Sequence, residues 1–321
     1  MRYVLRADAS KTLGSGHVMR LSAIAEELIA RGKEVIFVGQ ITELVWVEKR
    51  VRSQGFSQIY KKQEDFVPDP AIDVLIIDSY EIDTHDSFIA PCNWLHIISI
   101  FDKMTPLYNC TLRIHPGFDY TSTSGSISPS LAGPEYIPLR SELSKKTFIR
   151  KKFASPLKIV VTAGGSDPYK LVQHISRILQ KSDENFFAIL FSEFTFDSGL
   201  DSRFEIVEIG ERLADLSQDA DLVFTTASTS SLEFIARGMC IGIACSVDNQ
   251  QQNYELLGKL GVAAQIGFRN SKNQWIFDEN VINTLISSVQ IRSELVARTV
   301  GLIDFKGSER IVDAILNLEG A

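Results

Sequence analysis

The sequence predicts an α/β protein with two Rossmann-like domains that face each other across a cleft, and three observations support this. The chain has 321 residues, which exceeds the usual single domain of about 100–200 residues. Strand-like and helix-like segments alternate along both halves, which is typical of parallel sheets with right-handed crossovers. A basic and polar stretch at 144–156 lies between the halves. We therefore expect a first domain at 1–150 and a second at 151–321.

The first half begins with a strand, a helix and a second strand. Apolar runs predict strands at 3–6, 34–38, 74–78 and 94–100. Apolar residues at helical spacing predict helices at 18–30, with Gly32 as its C-cap, and at 44–54. The stretch at 116–138, rich in Ser, Thr, Gly and Pro, is expected to be irregular. Because ligands bind at the carboxyl ends of strands in open parallel sheets, the loops after these strands are candidate sites.

The second half repeats this alternation of strands and helices. Apolar runs predict strands at 159–162, 187–191, 204–207, 221–225 and 241–245. Helices are expected at 169–180 and 231–237, and the chain from residue 280 onward is expected to be mainly helical. No short-period repeat occurs, which excludes a solenoid.

The composition argues against several classes of protein. The chain has 33 Lys and Arg against 40 Asp and Glu, a formal net charge of -7, so we expect no nucleic-acid partner, which would require concentrated positive charge. No apolar run reaches the roughly 20 residues that cross a bilayer, so we expect no integral membrane association. The four cysteines form no C-x-x-C pair and the five histidines show no zinc spacing, which predicts free buried thiols and no metal. Because no apolar signal-peptide segment follows the start, we expect a cytoplasmic protein.

The segment between the first strand and the first helix carries the first candidate site. Its G-S-G-H sequence allows a tight turn and the close approach of a ligand. His17 lies at the start of the helix, where the dipole disfavours an imidazolium, so a neutral imidazole could act as a general base. The alternative is a capping loop in which His17 only packs or forms a hydrogen bond. The candidate residues here are Asp8, Ser10, Gly14, Ser15, Gly16, His17 and Arg20.

A second candidate site follows the strand at 74–78. Here Tyr80, in the sequence Asp78-Ser79-Tyr80, is expected either to hydrogen-bond a ligand or to anchor the loop. If His17 is not the base, the alternatives are His115, which precedes Pro-Gly, and Asp8.

Two loops of the second half suit a diphosphate. The sequence TAGGSD at 162–167 follows a strand, and paired glycines there expose N–H groups to phosphate oxygens, although an ordinary tight turn would use similar residues. A run of hydroxyl residues followed by Glu233 opens a later helix, and the same pattern is a capping-box signature. The candidate nucleotide-binding residues are Gly164, Gly165, Ser166, Ser228, Thr229, Ser230, Ser231 and Glu233. Asn249 and Gln250 either offer amides to a polar substrate or serve only surface solubility.

Five segments, in this order, resemble the UDP-sugar hydrolase family of pseudaminic acid biosynthesis. They are RADASKTLGSGHVMRLSAIAEEL at 6–28, AGPEYIPLR at 132–140, AGGSD at 163–167, STSSLE at 228–233 and DNQ at 248–250. That family converts UDP-2,4-diacetamido-2,4,6-trideoxy-β-L-altropyranose to UDP and the free sugar. It looks like a shortened glycosyltransferase of the B type, similar to the one that makes lipid II.

The resemblance implies a UDP-sugar hydrolase with the glycosyltransferase B-type fold, with no cofactor and no metal. The C-terminal domain would bind UDP and the N-terminal domain would hold the sugar. His17 would be the catalytic residue that assists water at the anomeric carbon, with Tyr80 near the sugar. The alternatives are a glycosyltransferase that uses a related nucleotide sugar and a non-catalytic UDP-sugar-binding module.

The chain differs from the family pattern at three places. They are Phe101-Asp102-Lys103-Met104 in place of an Asp-Asp-Leu-Ala-type stretch, Arg113-Ile114-His115-Pro116-Gly117 in place of an Asp-containing motif, and Ser228 in place of a glycine. The first two lie near the sugar side, so the identities of the sugar and of the acceptor stay open.

Overall fold

The computed structural model describes residues 1–102, 105–118, 130–144, 153–196 and 199–318. The chain divides into a first unit, Met1–Ser141 with Asp304–Ala321, and a second unit, Glu142–Ile303. Most of the expected linker, at 145–152, lies outside the described residues, as do Lys103, Met104 and the part of the irregular stretch at 119–129.

The first unit contains a seven-stranded sheet whose strand pairs are all parallel. Its strands are β1 (Arg2–Arg6), β2 (Glu34–Val38), β3 (Gln58–Tyr60), β4 (Asp73–Ile77), β5 (His96–Ile100), β6 (Leu112–His115) and β7 (Ser130–Ala132). Its main helices are α1 (Gly16–Ala30) and α2 (Val45–Ser53), and the short α3 (Ser141–Ser144) lies at the unit boundary. The strand order is β3-β2-β1-β4-β5-β6-β7, so the order reverses at β1. The loops after β1 and β4 therefore flank a topological switch point, where ligands bind in such sheets.

The central strands of this sheet form because they are continuous apolar runs. In β1 and β4, Val4, Leu5, Leu75 and Ile76 are completely buried, as expected for strands covered on both faces. The helix α1 packs a stripe of apolar side chains against the same core. The buried members of this stripe are Val18, Leu21, Ile24, Ala25 and Leu28. This packing fixes the start of α1 next to the ends of β1 and β4.

The second unit contains a seven-stranded sheet in the order β10-β9-β8-β11-β12-β13-β14. Its strands are β8 (Leu157–Val161), β9 (Phe186–Phe191), β10 (Phe204–Val207), β11 (Leu222–Thr226), β12 (Ile241–Cys245), β13 (Ala264–Arg269) and β14 (Trp275–Phe277). The helices are α4 (Leu171–Gln180), α5 (Leu213–Leu216), α6 (Thr229–Ala236), α7 (Gln251–Leu260), α8 (Glu279–Ser287) and α9 (Val289–Thr299). Only the edge pair β13–β14 is antiparallel among the strand pairs of the described residues. The order reverses at β8, so the loops after β8 and β11 flank the switch point of this sheet.

The last helix, α10 (Gly307–Asn317), returns to the first unit. Its residues Ile311, Val312 and Ile315 are buried in the core that contains α1. The backbone of Gly307 approaches Ile137 so closely that a Cβ would lie 2.0 Å from the Ile137 carbonyl oxygen. The expected division at residue 150 does not include this return of the chain.

The predicted strands at 34–38, 204–207 and 241–245 are confirmed at both ends. The strands β3, β7, β13 and β14 are not among the predicted elements, because they are short or partly exposed and lack a buried apolar run. The strand β6 was also not predicted, because it has only four residues and two of them, Arg113 and His115, are polar. The helix α4 begins at Leu171 rather than 169, because Lys170 adopts a left-handed conformation with φ of 57°. The thiols of Cys110, Cys240 and Cys245 are buried, but Cys92 is exposed, which corrects the expectation for that residue.

Among the described residues, no helix combines the length and the apolar character needed to span a membrane.

Candidate active site

The turn after β1 is shaped by Ser10 and Gly14. The Gly14 N–H donates to the Ser10 carbonyl (2.8 Å), and the Leu13 N–H donates to Ser10 Oγ (3.0 Å). Gly14 has a φ of 84°, a conformation that a residue with a Cβ adopts only with strain. Ser15 is the N-cap of α1 and is buried. The loop thus places Gly16 and His17 in the first turn of α1, which begins two residues earlier than the predicted start at 18.

His17, Arg20 and Asp78 form a buried cluster in the first unit. Asp78 directly follows β4 and has no exposed surface, and His17 is 4% exposed. The distance from His17 Nδ1 to Asp78 Oδ1 is 2.5 Å. Arg20 Nε donates to Asp78 Oδ2 and Arg20 Nη2 donates to Asp78 Oδ1, both at 2.8 Å. The Asp78 carboxylate therefore makes a bidentate contact with the Arg20 guanidinium and also contacts the His17 imidazole.

The neighbours of Nδ1 determine the tautomer of His17. Arg20 Nη2 lies 3.1 Å from Nδ1, but a deprotonated Nδ1 would point its lone pair at the Asp78 oxygen. We therefore assign the proton of the neutral ring to Nδ1, which donates to Asp78. The Nε2 atom of His17 has no hydrogen-bond partner among the described residues. Its lone pair is thus available to accept a proton.

Tyr80 and Asp102 border this cluster. The rings of Tyr80 and His17 pack edge to face, with centroids 4.4 Å apart. Tyr80 Oη donates to Asp102 Oδ2 (2.5 Å), and Asp102 Oδ2 lies 3.9 Å from Arg20 Nη1. Asp102 follows β5, and its backbone N–H donates to Thr105 Oγ1 (3.0 Å). Tyr80 is therefore anchored by a hydrogen bond while its ring lies against the candidate base.

The electrostatics of this cluster favour an ionised Asp78. Burial opposes the charged form of Asp78, but the charges and hydrogen bonds of Arg20 and His17 outweigh it and lower the pKa of the carboxyl. Burial likewise opposes the charge of Arg20, and Asp78 overcomes this and raises the pKa of the guanidinium. Burial is the main cause that raises the pKa of Tyr80, with Asp102 acting in the same direction. The site thus contains an ionised carboxylate, an ionised guanidinium and a neutral phenol.

Asp8 and His115, the alternative bases, lie in different surroundings. Asp8 Oδ1 accepts the Gln40 N–H and forms an ion pair with Arg6, both at 2.7 Å. These contacts tie the β1 turn to the chain after β2. His115 lies at the end of β6, is 6% exposed, and packs its ring edge to face against Phe101, with centroids 5.2 Å apart.

In the second unit, the loops after β8 and β11 contact each other. Thr226 Oγ1 lies 3.2 Å from the Ala163 carbonyl, to which it donates, and 2.9 Å from Ser228 Oγ. Thr226 Oγ1 is the donor in the second contact as well, and since one hydroxyl has one proton, it donates to one of the two oxygens at a time. Gly164 has a φ of 96°, and a Cβ at this residue would lie 3.1 Å from Ser230 Oγ. The two predicted nucleotide loops are therefore adjacent.

The two helices that start at these loops differ at their N-termini. Asp167 lies in the loop before α4, and its carboxylate accepts the N–H groups of the first two helical residues, Leu171 (2.8 Å) and Val172 (3.0 Å). At the start of α6, the N–H groups of Thr229 and Ser230 donate to no described residue. Unpaired N–H groups at a helix start attract anions. Two N–H groups without a described acceptor thus lie at the start of α6, whereas a carboxylate caps the start of α4.

The capping box, the alternative interpretation of the hydroxyl run and Glu233, does not form at α6. The helix begins at Thr229 with Ser228 as its N-cap, two residues earlier than predicted, and the Ser228 side chain caps no N–H group. Glu233 therefore lies beyond the first turn, where a capping box cannot form. Its side chain is 8% exposed. Ser231 Oγ donates to the Ser228 carbonyl (2.6 Å) and stabilises the turn into the helix.

The other predicted site residues of the second unit lie in two loops, Asn249 and Gln250 after β12 and Gly165 and Ser166 after β8. Gln250 Oε1 accepts from the N–H (3.0 Å) and the hydroxyl (2.8 Å) of Ser246, so Gln250 stabilises the loop after β12. Asn249 is exposed. Gly165 and Ser166 lie between Gly164 and the Asp167 cap. In the part of the chain that the structure describes, no three His, Cys, Asp or Glu residues are grouped as metal ligands would be.

Two features of the site were not predicted from sequence. The pairing of His17 with Asp78 joins residues 61 positions apart, and the only sequence signal is that both follow predicted strands. The cap formed by Asp167 has a local signal, an Asp in the loop before a helix, which the diphosphate interpretation of AGGSD did not use.

Comparisons with known proteins add information on the fold. The chain matches no protein-family model. An uncharacterized protein of Methanocaldococcus jannaschii is 24% identical over 291 residues, which cover 79% of this chain and 58% of that protein. The chain thus spans a little more than half the length of this relative.

The solved structures that resemble the chain cover nearly all of it. The spinosyn forosaminyltransferase SpnP has a TM-score of 0.64 at 12% identity, with all of both chains covered. MurG of Acinetobacter baumannii has a TM-score of 0.61 at 13% identity, covering 99% of this chain and 100% of that one. Arabidopsis thaliana UGT89C1 complexed with UDP-L-rhamnose has a TM-score of 0.65 at 13% identity, covering 98% of each chain. With its two seven-stranded α/β units, the chain therefore has the glycosyltransferase B-type fold.

Proposed function

We propose that the protein is an enzyme that hydrolyses a UDP-sugar and releases UDP and the free sugar. The observation that carries this proposal is the arrangement of His17. Asp78 accepts the Nδ1 proton, and Nε2 has no partner among the described residues. An imidazole held in this tautomer is suited to take a proton from water.

The reaction is a direct displacement at the anomeric carbon. The water oxygen attacks C1, and its proton passes to His17 Nε2. The bond between C1 and the β-phosphate oxygen breaks, and the electron pair leaves with UDP. Asp78 stabilises the imidazolium that forms, since its carboxylate is ionised and 2.5 Å from Nδ1.

The proposal assigns UDP to the second unit. The open N–H groups of Thr229 and Ser230 at the start of α6, together with the adjacent hydroxyls, supply donors for a diphosphate. The close contact of Gly164 with Ser230 makes the loop after β8 the opposite wall of this position. Ser231 and Glu233 follow on the same helix, and the carboxylate of Glu233 is assigned to the ribose hydroxyls.

The proposal assigns the sugar to the first unit, with Tyr80 beside it. The resemblance of the segments at 6–28 and 132–140 favours a 2,4-diacetamido-2,4,6-trideoxyhexose and a role in nonulosonic (pseudaminic) acid biosynthesis. A UDP-sugar is also the ligand that the UGT89C1 complex names.

The test is incubation with UDP-2,4-diacetamido-2,4,6-trideoxy-β-L-altropyranose in ¹⁸O-labelled water, with UDP release followed by chromatography. We expect UDP release without any acceptor and no label in the released UDP, because cleavage between C1 and the bridging oxygen leaves that oxygen on the β-phosphate. His17→Asn is expected to abolish most release, and His85→Asn, at an exposed histidine of the same unit, serves as the matched control.

The second candidate function is glycosyl transfer. It is favoured by the structural similarity to the spinosyn forosaminyltransferase, whose name states this activity. The same incubation separates the two. UDP release that strictly requires a sugar or lipid-linked acceptor would establish a transferase. Binding of the UDP-sugar without release under either condition would establish a non-catalytic binding module.

A further inference from the structure

We propose that Arg20 is a positioning residue that keeps His17 a neutral base by neutralising the buried Asp78 carboxylate. The kinetic test of this inference rests on the proposed function, whereas the spectroscopic test does not. It assigns Arg20 a role that differs from the substrate contact expected from its place in the G-S-G-H segment.

The geometry shows how Arg20 acts on His17 through Asp78. Arg20 lies one helical turn after His17 on α1, so both side chains leave the same face of the helix. Its Nε and Nη2 atoms contact both oxygens of Asp78 at 2.8 Å. This two-point contact fixes the plane of the carboxylate, and so directs Oδ1 at His17 Nδ1. The guanidinium side chain is 15% exposed, and Asp78 is completely buried.

The charges explain why the pairing matters for a base. The ion pair of Arg20 and Asp78 has no net charge, so a neutral imidazole beside it needs no further compensation. Without the guanidinium, a buried carboxylate would face the ring alone and favour a proton on it. A protonated ring has no lone pair on Nε2 and cannot accept a proton from water.

The other ionisable groups around the cluster are on neighbouring loops. Tyr80, after β4, packs on the His17 ring and is neutral, as its raised pKa indicates. Asp102, after β5, accepts the Tyr80 hydroxyl and lies 3.9 Å from Arg20. Tyr108 is buried, and its hydroxyl contacts the carbonyls of Ser79 and Ile82. The guanidinium of Arg20 thus lies near two carboxylates, and its removal leaves both without this cation.

The kinetic experiment compares the pH profile of kcat/KM for the wild type, Arg20→Met and Arg20→Lys. We expect the acidic limb of the profile, where kcat/KM falls as the pH is lowered, to shift to higher pH in Arg20→Met. The shift should be about one pH unit or more, the size typical of a lost neighbouring charge. At high pH its rate should recover toward the wild type. Arg20→Lys retains the charge and should keep the limb near its wild-type position, with a lower plateau because a lysine cannot make the two-point contact.

A direct role of Arg20 in substrate binding predicts a different result. It would raise KM at every pH and leave the acidic limb in place. That outcome for Arg20→Met overturns the proposal. If Arg20→Met does not fold, Arg20→Gln replaces it, because glutamine is similar in size to methionine and also carries no charge. The same shift of the acidic limb is then expected for Arg20→Gln.

A second measurement is independent of activity. Nitrogen-15 spectra of the histidine rings, with His17→Asn to assign the signal, should show a proton on Nδ1 of His17 in the wild type at neutral pH. In Arg20→Met the ring should stay doubly protonated to higher pH, while the signal of the exposed His85 is unchanged. If no UDP-sugar is cleaved but these spectra change as expected, the proposed function fails and the role of Arg20 stands. If UDP-sugar is cleaved but neither the spectra nor the limb moves, the role of Arg20 fails alone.

Discussion

Asp78 in the first unit and Asp167 in the second are both buried next to a candidate loop, but they have different partners. Asp78 is held by the guanidinium of Arg20 and the imidazole of His17, and its pKa is lowered despite burial. Asp167 accepts backbone N–H groups, and burial raises its pKa to about 6 although these donors act in the opposite direction. A full positive charge outweighs the cost of burying the carboxylate, and dipolar N–H groups do so only in part.

The two units therefore differ in how they use a buried carboxylate. In the first unit, paired charges hold a histidine in one tautomer, as the proposed proton transfer requires. The second unit uses its carboxylate to cap α4, and leaves N–H groups and hydroxyls open at the start of α6. In the proposed function, the same sheet arrangement would thus support a base in one unit and a position for an anion in the other.

The largest expected effect is on turnover, from the loss of the base in the first unit. His17→Asn should lower kcat by about 10²–10⁴-fold, the usual contribution of a positioned base. The affinity for UDP, measured by calorimetry, should be nearly unchanged, because the nucleotide is assigned to the second unit. Full turnover of His17→Asn would shift the role to His115 or Asp8.

The next effect is on the stability of the first unit. Asp78→Asn removes the two-point ion pair of Arg20 and leaves Asp102, 3.9 Å away, as its nearby carboxylate. Breaking a buried pair in this way lowers the free energy of unfolding by about 3–5 kcal/mol. Urea denaturation of a Trp275→Phe background, in which the remaining tryptophans Trp46 and Trp94 lie in the first unit, measures this loss by fluorescence.

Asp73→Asn is the matched control for Asp78→Asn. Asp73 lies at the opposite end of the same strand, is completely buried, and pairs with both Arg2 nitrogens at 2.7 Å. It should lower stability without the loss of kcat that Asp78→Asn causes. Equal losses of kcat in the two variants would show that Asp78 acts only through the fold.

The surroundings of Asp78 and the start of α6 show what the sequence could and could not predict. Local patterns predicted the turn before His17 and most of the central strands, because apolar periodicity and glycines are local signals. The partner of His17 could not be predicted, because β4 lies beside β1 only after the crossovers through β2 and β3 have formed. The start of α6 was predicted two residues too late, at 231, and the capping box that was the alternative interpretation of Glu233 does not form.

Asp167 provides the third prediction, which concerns pH. Its carboxyl binds a proton more tightly in the folded chain, with a pKa of about 6, than in the unfolded chain, where the value is about 3.9. The folded state therefore holds more protons between these values, and the stability of the second unit should fall by about 2 kcal/mol as the pH rises from 4 to 6. Thermal unfolding of Asp167→Asn should lack most of this decrease. Asp183→Asn, at an exposed carboxylate of the same unit, should retain it, and an unchanged decrease in Asp167→Asn would assign the effect to other groups.

The smallest expected effect is on nucleotide binding by the second unit. Glu233→Ala should weaken UDP binding by about 1–3 kcal/mol, the cost of a lost hydrogen bond to a charged group, since the carboxylate is assigned to the ribose hydroxyls. Glu233→Gln retains one acceptor oxygen and should lose less, and the exposed Glu184→Gln is the control. Calorimetry with UDP and with 2′-deoxy-UDP separates this role from a structural one, because the 2′-hydroxyl should matter in the wild type and not in Glu233→Ala. Equal discrimination between the two nucleotides in all variants would mean that Glu233 supports α6 only, and that the open N–H groups of Thr229 and Ser230 act without it.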